Sequence, residues 1–138
     1  MTSQEKKQYL LKYQHFTQEV DRLSDERAQT LARAQKITPT LSDMPKSQSG
    51  ANRLELAVED IVENADKLAE KIREMLRAKE EIEQVIDSLE DDTLRRLMKY
   101  HYIDGKTWEE VAVKMFYGYQ WVCKLHGRAL AKLQINRR

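Results

Sequence analysis

The sequence predicts an all-α protein: a long antiparallel helical hairpin, coiled-coil-like, followed by a small head of three short helices. Three observations carry this. The 138 residues include only 4 Gly and 2 Pro, too few for the many turns of a sandwich or barrel, while 34% are charged. An apolar stripe runs unbroken at steps of three and four from Leu54 to Leu89. Beyond it, helix-start and helix-stop signals alternate at short intervals.

Residues 4–36 read as one helix. Tyr9, Tyr13, Phe16, Val20, Leu23, Leu31 and Ala34 recur at helical spacing, with an interruption near Arg27. Residues 37–51 follow as a loop: Thr38 and Met44 precede prolines, which biases both away from helix, and a Ser/Gln/Gly tail completes the segment.

The second helix is the clearest element. Leu54, Val58, Ile61, Ala65, Leu68, Ile72, Met75, Lys79, Ile82, Ile86 and Leu89 form a coiled-coil seam with Lys79 as its polar member, read as a snorkelling lysine. A helix of that length spans roughly 55 Å and cannot bury its stripe alone. Folding residues 4–36 back, with the turn near residue 44, pairs Ala34 with Leu54, Leu31 with Val58, Leu23 with Ala65, Phe16 with Ile72 and Tyr13 with Met75. This makes residues 1–89 one hairpin domain. Periodicity does not say whose helix is the partner, so a homodimer through the hairpin, with the second helices parallel, stays open.

Residues 90–138 form the head. Glu90-Asp91-Asp92 suits a helix start, and Leu94, Leu97, Met98 and Ile103 mark the helix that follows. Asp104-Gly105 ends it. Thr107 with Glu110 is a capping-box pattern opening a short helix from Trp108 to Met115. Phe116-Tyr117-Gly118 breaks the chain again before a final helix from Tyr119 toward Asn136. Seven of the ten aromatics lie from Tyr100 to Trp121 and are read mostly as core, with Trp108 and Tyr119 turned outward.

The net charge of +1 conceals an asymmetry. Residues 51–92 hold 14 acids against 6 bases, read as a solvated helix face, whereas residues 93–138 hold 10 bases against 3 acids, and from Gly118 onward no acid occurs. A basic end beside an acidic one points to a polyanion-binding head on a separate support. No apolar run approaches a membrane span, so no membrane partner is expected. The start lacks a signal-peptide pattern and Cys123 is the single cysteine, which together suggest a cytoplasmic protein.

Three short helices, the last two joined tightly and the last one basic, make a helix-turn-helix pattern. Val111, Ala112 and Met115 pack inward, as do Val122, Leu125, Ala129 and Leu133. That leaves Tyr119, Gln120, Cys123 and Lys124 to enter the major groove of double-stranded DNA, where Gln reads adenine and Lys reaches guanine or phosphate. Arg128 and Lys132 anchor the backbone, and Lys106 and Thr107 sit at the start of the preceding helix.

The run from Arg95 to Leu133 resembles region 4 of bacterial sigma factors. Tyr102, Gly105, Thr107, Glu109, Glu110, Val111, Ala112, Val122, Arg128, Ala129, Leu130, Lys132 and Leu133 carry the likeness. It departs from the pattern at Cys123, where Arg or Lys is common, and at Gly118, where Ser or Thr is common, so the promoter sequence does not carry over. The docking mode does, and it implies Thr107 and Trp108 toward the phosphate backbone with Tyr119, Gln120, Cys123 and Lys124 in the groove. With the linker TPTLSDMPK, the layout resembles small region-4-like proteins of phages and prophages of Gram-positive bacteria, mostly of unknown function or taken as regulators of phage transcription. The resemblance implies a DNA-binding transcription regulator in the bacterial host cytoplasm, with RNA polymerase as a second candidate partner. Two alternatives remain: a DNA-packaging (small terminase-like) subunit, and an interaction module that contacts RNA polymerase without binding DNA. No phosphate loop, carboxylate pair or nucleophile arrangement argues for an enzyme. Cys123, His126 and His101 lack metal-ligand spacing, so no cofactor is expected.

Overall fold

The computed structural model describes residues 1–43 and 48–135, with side chains described outside residues 37–51. The fold is all-α, as the composition requires: α1 (Ser3–Leu10), α2 (Lys12–Asp43), α3 (Gln48–Asp87), α4 (Asp92–Tyr102), α5 (Trp108–Met115) and α6 (Tyr119–Lys132). Among the described residues no helix is long and apolar enough to cross a membrane.

The predicted first helix is two. Thr2 and Glu5 cap α1 reciprocally in a capping box, and Leu11 interrupts the ladder with a near-zero ψ of −7°. Its N–H still reaches the Lys7 carbonyl at 3.0 Å and its carbonyl still accepts from His15 at 3.0 Å, so the chain bends there without losing its bonds. The predicted loop 37–51 is also shorter. α2 continues through Pro39 to Asp43 and α3 begins at Gln48, while residues 44–47 lie outside the described residues. A proline removes one ladder bond, and the pre-proline preference is a bias that a long helix can override.

The chain divides into two compact units, residues 18–74 and residues 1–17 with 75–138. The first unit is an antiparallel pairing of α2 with α3. Lys71 Nζ meets Glu19 Oε2 at 3.0 Å and Asn64 Nδ2 donates to Thr30 Oγ1 at 2.9 Å. The predicted register instead sets Thr30 beside residues 58–59. It slips because the α2 seam runs unbroken through Val20, Leu23, Arg27, Thr30 and Ala34, leaving Leu31 exposed. On α3 the inward stripe starts at Ala57 and Ile61, while Leu54 and Val58 turn out to solvent. A straight helix drifts by roughly 20° per heptad against a 3.5-residue repeat, so a seam anchored at one end rotates off its partner at the other.

The second unit is larger than the predicted head. Its core joins Leu10 of α1 and Ile82, Ile86 and Leu89 at the end of α3 to Leu94, Leu97, Met98, Tyr102, Val111, Val122, Leu125, Ala129, Leu130 and Leu133. The boundary at residue 89/90 is therefore corrected: α1 and the last turns of α3 belong to the head. Leu10, fully buried, contributes about 1.5–3 kcal/mol by itself. Lys6 Nζ donates to the Leu130 carbonyl at 2.7 Å, satisfying one of the open carbonyls at the end of α6. Lys79 is half-buried, and its neighbour Ala78 takes the buried position.

Candidate nucleic-acid interface

Local chemistry sets the two helices that make the motif. Gly105 has φ +73°, a left-handed turn that glycine adopts without strain, and Gln14 Nε2 donates to the Tyr102 and Ile103 carbonyls just before it, at 3.0 and 3.2 Å. Thr107 caps α5, its Oγ1 accepting from the Glu110 N–H at 3.2 Å. Only half of the expected box forms: the Glu110 carboxylate accepts from the Thr107 hydroxyl at 3.2 Å rather than from its backbone. At the far end of α5, Phe116 is left-handed at φ 60°, and the Tyr117 N–H donates to the Ala112 carbonyl at 3.0 Å. This closes the helix in a Schellman geometry, where glycine is the usual residue. Gly118, extended at ψ 150°, then opens α6 without a side-chain cap.

α6 has two opposed faces. Val122, Leu125, His126, Ala129 and Leu130 are buried, and Tyr119, Gln120, Cys123, Lys124, Gly127, Arg128, Ala131 and Lys132 are exposed. The structure thus brings six of the predicted site residues onto one helix surface. The Cys123 side chain one turn on holds the Tyr119 hydroxyl above its ordinary pKa, with the Glu109 carboxylate adding to the effect. The Arg128 guanidinium lies 5.0 Å from the Trp121 ring centre, a cation–π contact that keeps the charge at the surface. Lys132 lines a cleft together with Ser88, Leu89, Glu90, Asp91 and Gln134.

Trp108 corrects an expectation. It does not turn outward to a phosphate backbone: its indole stacks on His101 at 3.8 Å and packs against His126 at 4.2 Å, half-buried at the edge of the core. The His101 Nδ1–H donates to the Lys106 carbonyl at 2.7 Å, which fixes the loop carrying Lys106 and Thr107 at the start of α5. Lys106 is half-buried and Thr107 exposed, though the Thr107 hydroxyl is committed to its cap.

Burial holds His126 well below its ordinary value, at about 4, with the nearby His101 and Lys7 adding to the effect, so the ring is neutral. His126 is buried while Cys123 lies on the exposed face, so the two do not converge.

Sequence reasoning missed an apolar patch. Among the seven head aromatics Phe116, Tyr117 and Trp121 are exposed rather than core, Phe116 at 94%, Tyr119 is exposed as expected, and Val113 on α5 is 76% exposed. The signal was present: Val113 lies off the Val111–Ala112–Met115 face, and Phe116 stands in the break itself.

The model of the family described as "Protein of unknown function (DUF1492)" matches residues 36–120, more than half of the chain, ending one residue short of Trp121. No protein of curated function matches the chain. No solved structure matches it.

Proposed function

We propose, from the premise that the chain belongs to the DUF1492 family of unknown function, that its head is a double-stranded DNA-binding module and the protein a regulator of phage or prophage transcription. The observation that carries this is the exposed face of α6. Gln120, Lys124 and Arg128 stand on it, opposite the buried Val122, Leu125 and Ala129, and no acid occurs from Gly118 to the end of the chain. A helix so placed presents an amide able to pair with adenine and cations able to meet phosphate. The likeness of Arg95–Leu133 to sigma region 4 supports the same docking, with α6 as the recognition helix. The protein binds rather than catalyses.

The test is selection of duplexes from a random pool with the full-length chain, followed by titration at several salt concentrations. Enrichment of a common site, with affinity falling linearly on a log–log salt plot, is the expected result. Absence of any salt-dependent affinity at low ionic strength overturns the reading.

Val113 and Phe116 favour a second reading, in which the head docks on a protein such as RNA polymerase. The two stand three residues apart at the end of α5, both largely exposed, and apolar side chains grouped in solvent are what a protein contact covers. Phe116→Ser with Val113→Ser separates the two: the second reading expects binding to the polymerase to be lost, while the first expects DNA affinity to stay unchanged.

A further inference from the structure

The start of α5 and the N-terminal helix α1 meet the same edge of α6. Trp108, the first residue of α5, has its indole 4.2 Å from the His126 ring, and Lys6 of α1 donates to the Leu130 carbonyl at 2.7 Å. His126 and Leu130 stand one turn apart on one side of the helix, so α1 continues the row that Trp108 begins. Beyond the bend at Leu11, Gln14 holds the Tyr102 and Ile103 carbonyls, just ahead of the loop that carries Lys106. This N-terminal segment lies outside the run from Arg95 to Leu133 that carries the likeness to sigma region 4.

Its three lysines are not alike. Lys6 is committed to the Leu130 carbonyl, and Lys12 to the Glu81 carboxylate at 3.1 Å. The Lys7 ammonium forms no hydrogen bond or ion pair among the described residues, although the residue is half-buried. Its charge reaches His126 and helps to lower that ring's pKa, which sets it beside the Trp108–His126 pair. The acids of α5 are engaged elsewhere: Glu110 accepts from the Thr107 hydroxyl, and Glu109 acts on Tyr119 at the start of α6.

We propose that Lys7 meets a phosphate of the bound duplex on the same strand as Lys106, which makes α1 a fourth element of the DNA surface. This rests on the DNA-binding reading of the head. With α6 in the major groove, its two edges face the sugar-phosphate strands that border the groove. In a helix-turn-helix the helix before the recognition helix crosses one of those strands. Here that is the strand on the Trp108 edge, and α1, one turn further along the same edge, meets it next. The contact positions the head and carries no sequence information, so Lys7 adds affinity for every duplex alike.

Fluorescence anisotropy of full-length variants, on the selected duplex and on a random one at four or more salt concentrations, tests this. Lys7→Met keeps the aliphatic stem and removes the charge. It should weaken both duplexes alike, by about three- to tenfold near about 0.1 M salt, and flatten the log–log slope by about one unit. Lys7→Arg should keep the slope, and neither change should lower the melting temperature, because the ammonium holds nothing in the free chain. Arg96→Ala removes a cation that Asp92 already holds at 2.8 Å and should leave the slope as it is. Ethylation of single phosphates should reveal one position that weakens the wild type and not Lys7→Met. A slope indifferent to Lys7→Met, while Arg128→Ala still flattens it, overturns the α1 contact and leaves the DNA reading standing. Equal flattening by Arg96→Ala overturns it too, since net charge alone would then be at work. A wild type without salt-dependent affinity overturns the reading and the contact together.

Discussion

The hydroxyl of Tyr102 on α4 lies 2.7 Å from Nε2 of His126 on α6, and this buried pair ties the first helix of the three-helix motif to its last. Around it His101 and Trp108 complete an aromatic cluster that α5 closes from the side, with ring centres 3.8 to 6.3 Å apart. The exposed face of α6 is therefore aimed by a polar contact as well as by Val122, Leu125 and Ala129 behind it. A hydrogen bond inside a low-dielectric cluster sets the helix orientation more sharply than apolar packing alone.

Stability should fall in acid through this cluster. Burial lowers the His126 pKa from 6.5 to about 4 in the folded chain, so protonation favours the unfolded state. The contribution is complete above the unfolded value of 6.5 and is lost as the pH falls toward 4. At roughly 1.4 kcal/mol per unit the loss is on the order of 3 kcal/mol. His101, also lowered by its burial, acts in the same direction. Thermal melts between neutral pH and the acid end should show a declining Tm, and His126→Gln should flatten the decline. A Tm independent of pH over that range contradicts the neutral, buried assignment.

The N-terminal helix should be required by the head. Leu10→Ala removes a fully buried side chain at the junction of α1 with the core and should cost about 2–5 kcal/mol. Lys6→Met, which leaves the Leu130 carbonyl without its 2.7 Å donor, should cost about 1–2 kcal/mol. Chemical denaturation followed through Trp108 and Trp121 fluorescence measures both. Equal stability of the wild type and Leu10→Ala would separate α1 from the head.

Much of this architecture was legible in residues whose chemistry is local. The Thr107 cap, the Asp104-Gly105 turn and the inward faces of α5 and α6 follow from side-chain preference and period, and they stand where the sequence puts them. The hairpin register did not follow, because it turns on Thr30 and Asn64, two polar residues that satisfy each other only once paired. Nor did the membership of α1 in the head, since Leu10 and Lys6 act on residues more than a hundred positions away. On the candidate interface, Gln120, Lys124 and Arg128 were readable as an outward stripe. Trp108 was not, because its stacking on His101 depends on a turn of α4 that periodicity leaves free.

The seam of the hairpin should gain from losing Arg27. This residue occupies a seam position between Leu23 and Thr30, and its Nε is buried without a hydrogen-bond partner among the described residues. An unsatisfied buried donor costs about 1–3 kcal/mol, more when charged. Arg27→Leu should raise the melting temperature of the chain, as read by circular dichroism; a fall would mean that the guanidinium is held by contacts worth more than an apolar seam.

Phe116 should be replaceable at a gain in stability. Its left-handed φ of 60° costs an L-residue with a bulky side chain about 1–2 kcal/mol, and its ring, 94% exposed, recovers almost nothing by burial. Phe116→Gly should therefore stabilise the head by about 0.5–1 kcal/mol after the added flexibility of the unfolded chain is counted. Denaturant titration measures this directly. A destabilised Phe116→Gly would show that the ring packs in solution.

The DNA-binding reading predicts that two exposed side chains, Arg128 and Gln120, fail in different ways. Lys124 and Arg128 lie one turn apart on the open face of α6, and Lys106 stands at the start of α5, so these should neutralise about three phosphates and contribute about −2.7 to the log–log salt slope. Lys132 should add little, because Glu90 and Asp91 line the same cleft. Arg128→Ala should weaken binding to all duplexes alike and flatten the slope by about one unit, as a phosphate contact does. It also frees the Trp121 ring from its cation–π contact, so Arg128→Lys, which keeps the charge on a different geometry, should restore most of the slope. Gln120→Ala should instead cost about 1–3 kcal/mol on the selected site and almost nothing on random DNA, leaving the slope unchanged. Fluorescence anisotropy at four or more salt concentrations separates these patterns. Were Gln120→Ala to weaken both duplexes equally, α6 would be lying on the phosphate backbone rather than in the groove.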